Sequence, residues 1–416
     1  MTLDSLAQGT RGAPEPDGAT AVLADTASRR ASAYVHFPWC LAKCPYCDFV
    51  SYVAPAIDHA GYADAVLREI DERTPSFRAG HVERRLESVF FGGGTPSLWE
   101  PAELGRVLDT LRARFGARST AEVTVECNPT SLDGERARRL RDGGVNRLSI
   151  GVQSLRDDRL RYLGRLHDAA GARAAVEGAI AAGMPRVSAD LIFGLPGQSA
   201  SDARDEAVEL VNLGVAHVSC YQLTIEPGTR FGELARRGRL PLAEDGDVAD
   251  AFLAIDEALE RLGFRHYEIS NYARPGEEAR HNLGYWRGDE YLGLGCGAYG
   301  FLRSASPGAP ATGARWRNEV QPERYVANRT TPETATVEEL DAETLLRERI
   351  MLGLRVDEGI DLEAAALDLG VDAWTAERER AAAWLEARGR LERTGARLRV
   401  PRSAWLWTDD TAARLF

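Results

Sequence analysis

The chain has 416 residues, 44% of them hydrophobic and 27% charged, enough for one large α/β domain and a small accessory one. Its formal net charge of -12 excludes a dominant electrostatic attraction to phosphate backbones, and it has neither a signal-peptide pattern nor a run of about 18 apolar residues. These bounds predict a folded, cytoplasmic protein without a nucleic-acid partner.

Residues 1–31 are rich in Ala, Gly, Thr, Asp, Ser and Pro, show no apolar periodicity, and are predicted to form a disordered tail. From Ser32 an alternation begins: the apolar runs AYVHF, SVFFGG, EVTVECN, RLSIGV, RVSADLIFG and HVSCYQLTI are separated by amphipathic stretches such as 62–72 and 201–213. Alternating β and α elements imply a parallel sheet with right-handed crossovers. Six units are too few for an eight-stranded barrel, so residues 32–300 are predicted to form a partial (β/α)6 barrel. Cys40, Gly93, Glu126, Gln153, Asp190 and Tyr221 fall at or near the C-terminal ends of the predicted strands, where barrels place their active sites.

Beyond the Gly-rich LGLGCGAYGF, residues 301–340 read as a linker, with a Pro, Gly and Ala stretch at 304–313. Residues 341–416 predict helices at 342–353, 361–369 and 374–388, then a hairpin, LERTGARLRV, turning at Thr394 and Gly395. This is a small winged-helix-like α+β domain. It lacks a basic recognition helix, which favours a structural or docking role over DNA binding.

Half of the six cysteines crowd into HFPWCLAKCPYCDF, while Cys127, Cys220 and Cys296 stand apart. Such clustering fits thiolate ligands in a reducing compartment. Cys40, Cys44 and Cys47 are spaced C-x-x-x-C-x-x-C directly after a predicted strand, a loop able to wrap one corner of a 4Fe-4S cubane and leave one iron open. The alternative is zinc, which wants a fourth ligand; no second C-x-x-C pair follows, and His36 is the neighbour that could complete such a shell.

The cysteine spacing on a first β/α loop resembles the signature of the radical S-adenosylmethionine (SAM) superfamily. The segments YVHFPWC, FFGGGTPS, RLSIGVQS and DLIFGLPGQ resemble the oxygen-independent coproporphyrinogen III oxidase family, from about Ala33 to the C-terminus. The resemblance implies a 4Fe-4S cluster on the three cysteines, with SAM on its open iron and its sulfonium open to reductive cleavage. It implies SAM contacts at Gly93, Gly94 and Thr95, at Glu126, at Gln153 in GVQS, at Arg165 in YLGRLH and at Asp190. It also implies an aromatic pair, Tyr34 and Tyr46, flanking the cofactor. Glycines there admit close backbone approach to the methionine moiety.

Two departures separate the chain from the oxidases: Phe49 stands where they resemble C-x-x-x-C-x-x-C-x-C, and residues 1–31 lack an apolar covering helix. HNLGYW, residues 281–286, resembles the HNxxYW motif of the HemW branch, the heme chaperones. That likeness implies heme as a ligand, with His281 as an axial group and Tyr285 and Trp286 against the porphyrin. It further implies transfer of heme to apo-hemoproteins (respiratory hemoproteins and bacterioferritin), a homodimer, and peripheral membrane association. The alternatives are a coproporphyrinogen oxidase of porphyrin biosynthesis and, fitting least, a winged-helix regulator with a redox cluster.

Overall fold

In the computed structural model, which describes residues 29–78, 84–118, 120–304, 309–327 and 334–416, all six apolar runs form strands. They are β1 (Arg29–Phe37), β2 (Arg84–Gly93), β3 (Glu122–Cys127), β4 (Arg147–Gln153), β5 (Arg186–Phe193) and β6 (His217–Gln222), each parallel to the next. Of the predicted tail, residues 1–28 lie outside the described residues, and 29–31 already belong to β1. Between the strands run α1 (His59–Arg78), α2 (Pro101–Phe115), α3 (Gly134–Asp142), α4 (Ala169–Ala181) and α5 (Ala200–Asn212). Local chemistry sets where helices begin: Asp133, Asp168 and Ser199 each cap one by accepting a first-turn N–H, and Ser199 and Asp202 form a reciprocal capping box.

The strand order runs from β1 to β6 without reversal, so right-handed crossovers put these helices on one side of the sheet. The consequence is written into the strands residue by residue. Val89, Phe91, Val123, Val125, Leu148, Ile150, Ala189 and Val218 face outward and are buried with the helices in one core. The alternate positions, Ser88, Glu122, Thr124, Arg147, Ser188, His217 and Ser219, are buried yet polar. The inner face of the sheet is thus a polar concavity.

Further strands widen the sheet at both edges. After α6 (Asp245–Arg261), β7 (Arg265–Glu268) and β8 (Asn271–Ala273) add antiparallel strands beyond β6. At the other edge β9 (Glu290–Leu294) lies parallel to β1, followed by the antiparallel β10 (Tyr299–Ser304), β11 (Thr312–Asn318) and β12 (Thr334–Leu340), which completes a 12-stranded sheet. The expected linker at 301–340 is therefore corrected: it carries sheet. Its neighbourhood reads as a loop because small residues fill tight crossings. A Cβ at Gly293 would sit 1.8 Å from the Tyr299 carbonyl oxygen, and one at Gly300 2.0 Å from the Trp316 ring.

The C-terminal domain contains α8 (Ala342–Gly353), α9 (Leu362–Leu369) and α10 (Ala376–Glu386), then the hairpin of β13 (Glu392–Thr394) and β14 (Arg397–Arg399), joined by a short strand at Ile360–Asp361. The hairpin turns at Gly395 and Ala396, one residue later than read. This domain's core includes Phe301 and Leu340 of the sheet extension, so the two parts are packed together. Among the described residues no helix is long and apolar enough to cross a membrane.

One buried carboxylate fastens the extension to the barrel. Glu69 of α1, 2% exposed, accepts from the Gly295 N–H at 2.9 Å, Asn318 Nδ2 at 2.8 Å, the Tyr325 hydroxyl at 2.7 Å and Arg73 Nε at 3.3 Å. Removing it leaves several buried donors unpaired. Glu69→Ala is expected to lower unfolding free energy by about 3 kcal/mol or more in urea titration, and Glu69→Gln by clearly less.

Candidate functional site

The cysteine loop leaves the end of β1 and is held from beneath. The His36 ring accepts at Nδ1 from the Tyr34 hydroxyl (2.9 Å) and donates from Nε2 to the Val50 carbonyl (2.7 Å), a tautomer fixed by these partners. Burial lowers the His36 pKa to about 4, so the ring is neutral and serves as a strut within the loop. Gly94 and Thr95 donate their N–H groups to the Phe37 and Trp39 carbonyls, both at 2.8 Å. The Thr95 hydroxyl lies 3.3 Å from Cys40 Sγ, and Arg165 Nη1 lies 3.4 Å from Cys44 Sγ. All three thiols are half-buried, and burial pushes those of Cys40 and Cys47 up. A single ion needs donors converging on one point, whereas a cubane needs each thiolate to reach its own iron. Among the described residues no three His, Cys, Asp or Glu groups converge in the first way.

The loop roofs a cleft of about 440 Å³ at the C-terminal ends of the strands. Cys40, Cys44, Tyr46, Cys47, Gly93, Gly94, Thr95, Glu126, Gln153, Arg165, Asp190 and Tyr221, all singled out in the sequence, line it together. Strand ends from β2 to β6 can share one cleft only because the sheet curves. Glu126 Oε2 accepts from the Gly93 N–H at 3.0 Å, tying β3 to the glycine segment. Burial raises the Glu126 pKa to about 7, the Gly93 N–H opposes the rise, and Asp190 adds to it. Asp190 rises to about 6, again through burial, against hydrogen bonds from Ser219 and Ser149.

The glycines at 93 and 94 leave room for the cysteine loop. A Cβ on Gly93 would strike the His36 ring at 2.4 Å, and one on Gly94 the Trp39 carbonyl at 2.7 Å. They permit the cysteine loop to seat. The Gly93, Gly94 and Thr95 N–H groups are all taken, and the Thr95 carbonyl accepts from the Leu98 N–H at 2.9 Å, so this segment offers a ligand no backbone donor. Gln153, at φ 65°, is the one non-glycine with positive φ among the described residues and sits at a break in the pairing of β4 with β5. That geometry costs on the order of 1 kcal/mol and leaves its buried Oε1 without a partner, as is Arg165 Nε. Two orphaned polar atoms in one cleft fit a polar ligand.

Sequence reasoning missed Ser149, which lines the cleft and donates to Asp190 at 3.1 Å; the alternation of RLSIGV was the available signal. Tyr34 and His281 do not line the cleft. Tyr34 supports His36 and stacks on Phe90. His281 lies in a helix, α7 (Arg280–Trp286), that crosses the polar inner face lower down. The ring is 1% exposed, stacked on Phe90, with Nδ1 against Ser88 Oγ (2.9 Å) and Nε2 against the Tyr285 hydroxyl (3.1 Å). Burial lowers its pKa to about 3. Both ring nitrogens are engaged in these hydrogen bonds.

Three thiolates on the first β/α loop, above the open end of a partial barrel, define a radical SAM architecture. Residues 34–210 match the model of the radical SAM superfamily and 340–407 that of the HemN C-terminal domain. The chain is 38% identical over 368 residues to the heme chaperone HemW of Mycobacterium tuberculosis, covering 88% of this chain and 89% of that protein. It is 39% identical to the mitochondrial radical S-adenosyl methionine domain-containing protein 1 of Danio rerio, covering 79% and 74%. It shares the fold of the coproporphyrinogen III oxidase HemN of Escherichia coli, with a TM-score of 0.76 at 21% identity over 93% of this chain and 90% of that one. The chain belongs to the HemW family of the radical SAM superfamily.

The donor set makes a direct prediction. Protein reconstituted anaerobically with iron and sulfide is expected to hold about four irons per chain. Replacing Cys40, Cys44 and Cys47 together with Ala is expected to abolish the visible cluster absorption. Cys127→Ala should leave it intact: Cys127 borders the cleft, but its thiol packs in the apolar core and donates to the Val125 carbonyl at 3.5 Å.

Proposed function

We propose that this protein is a heme chaperone: it binds heme, delivers it to apo-hemoproteins, and carries a 4Fe-4S cluster on Cys40, Cys44 and Cys47 with SAM in the adjoining cleft. The observation that carries the reading is the near full-length similarity to proteins named heme chaperone HemW. Phe49, 61% exposed beside the cluster loop where the oxidases have a further cysteine, supports it.

When bound, the cluster supplies an electron and a Lewis-acidic iron next to the sulfonium. The chain's own residues account for the rest. Carbonyl oxygens of Gly93 and Gly94 would accept from the SAM amine, the unpartnered Gln153 Oε1 would accept a further donor, and Asp190 and Glu126 would face the cationic ligand as carboxylates. Arg165, anchored on the Gly151 carbonyl at 3.0 Å, would keep its guanidinium beside Cys44 on the wall of the cleft.

The raised Glu126 pKa gives SAM binding a pH dependence. A carboxylate that titrates at about 7 is mostly protonated at about pH 6 and mostly ionised at about pH 8, and the cationic ligand selects the ionised form. SAM affinity, read from the perturbation of the reduced cluster's EPR spectrum, is expected to rise up to tenfold, roughly, over that interval. Glu126→Gln should weaken binding and flatten the profile.

Two measurements made on one preparation test the reading. Absorbance titration is expected to show about one heme bound per chain, while coproporphyrinogen III, offered anaerobically with reductant and SAM, remains unconverted. Conversion to protoporphyrinogen IX without heme binding would overturn it in favour of the oxidase.

A further inference from the structure

Of the chain's eight tryptophans two are exposed, Trp384 at 38% and Trp407 at 54%, and both belong to the C-terminal domain. Neither is part of that domain's apolar core, so packing does not account for them. Trp384, near the end of α10, lies under two guanidiniums, Arg388 at 3.8 Å and Arg414 at 4.6 Å from its ring centroid. Arg414 pairs at 3.0 Å with Asp410 of α11 (Thr408–Ala413), and the same carboxylate takes Arg390 at 2.5 Å. Arg390 in turn stacks on Trp407 at 4.5 Å. One unbroken run of contacts thus joins the two indoles in a single face. Leu406, next to Trp407, is also exposed there.

Three arginines on this face share one side-chain carboxylate. Arg388 forms no ion pair among the described residues; it donates to the Trp384 carbonyl at 3.2 Å. The neighbouring acids are paired elsewhere, Glu386 with Arg393 at 3.4 Å and Asp409 with Arg355 at 2.6 Å. The face is therefore cationic on a chain whose formal net charge is -12. Exposed Trp and Arg held together in this way have the composition of a protein-interface hot spot. A bilayer is a poorer match. An indole that anchors in lipid offers a bare ring, whereas these rings carry guanidiniums, and an acidic chain is repelled by an anionic leaflet. A guanidinium held over an indole still has N–H groups to give to a carboxylate.

We propose that this face docks a protein partner whose surface sets carboxylates around an apolar socket, and that the partner is the apo-hemoprotein receiving heme. The inference rests on the chaperone reading above. Trp407 and Leu406 enter the socket, and Arg388 and Arg414 meet the carboxylates. Charge pairs at the edge of such a contact speed encounter without locking it, which suits a partner that must arrive, load and leave. The C-terminal domain thereby holds the acceptor while the barrel carries the cluster.

The test follows heme leaving the full-length, cluster-loaded protein, preloaded with hemin, by the Soret band. The probe acceptor is a soluble apo-b-type cytochrome, used with its surface carboxylates intact or amidated, and excess apomyoglobin measures passive loss. Trp407→Ser and Arg388→Glu, both at exposed positions, are compared with the parent. Cluster absorption and circular dichroism report whether each variant keeps its fold. The parent is expected to pass heme to the intact cytochrome faster than passive loss, with a rate that saturates as the cytochrome is raised. In each variant, and for the amidated cytochrome on the parent, the half-saturating concentration is expected to rise about tenfold, with passive loss unchanged. Folded variants that saturate like the parent, or a parent that transfers no faster than passive loss, would overturn the docking assignment and leave heme binding standing. Unaltered transfer in variants that have lost binding to anionic lipid vesicles would overturn it in favour of a membrane. A parent protein that binds no hemin would overturn the chaperone reading itself.

Discussion

The constraint on which the rest of this structure depends is that the parallel sheet curves without closing, with the crossover helices of β1 to β6 on its outer side. An inner face that admits a ligand cannot be wholly apolar, and the alternate residues of β2 to β6 are mostly polar, with exceptions such as Phe90 and Ile192. A polar concavity must be sealed below to keep its side chains paired, and must stay open above to admit a ligand. The seal is α7. Glu122, at the start of β3, accepts the Arg280 and His281 N–H groups at 3.2 and 3.1 Å, as a negative charge should at a helix N-terminus. Arg147 lies 3.1 Å from Glu122 and donates to the carbonyls of Glu277 and Glu278 just ahead of the helix. Both charges are almost wholly buried, at 1% and 2% exposure, so each depends on the other and on α7 for its partners.

At the open end, the residues that would hold the cluster and those that would hold SAM form one mechanical unit. Glu126 grips Gly93, the glycine segment clamps the cysteine loop, and Arg165 reaches from Gly151 to Cys44. A Cβ at Gly151 would sit 2.8 Å from Gln153 Nε2, so that glycine makes room for the strained Gln153 above it. Substitutions among these residues will therefore move the loop as well as remove a contact.

Much of this was legible in the sequence because it is local. Apolar runs between amphipathic stretches marked all six barrel strands, and the cysteine spacing with the glycine segment marked the cleft. What was hidden depends on pairing across long separations. β9 reaches β1 across more than two hundred residues, and β10 and β11 carry Gly and Arg, with Trp316 in β11, where a simple strand pattern would carry Val and Ile. His281 shows the limit of motif reading. HNLGYW resembles a ligand motif, yet its position within α7 and the packing of Ser88, Phe90 and Tyr285 around the ring decide what the imidazole can reach.

One detail of the cluster loop has a practical consequence. Lys43 is the chain's single lysine, and its Nζ reaches across the loop to the Phe49 carbonyl at 3.2 Å, on the rim of the cluster cleft. Apart from the α-amine, every amine-directed reagent has this one side chain to attack. Among the side chains, a fluorophore or crosslinker therefore attaches only at the edge of the cluster site, with no mutagenesis, so the approach of a partner there can be followed on the unaltered polypeptide.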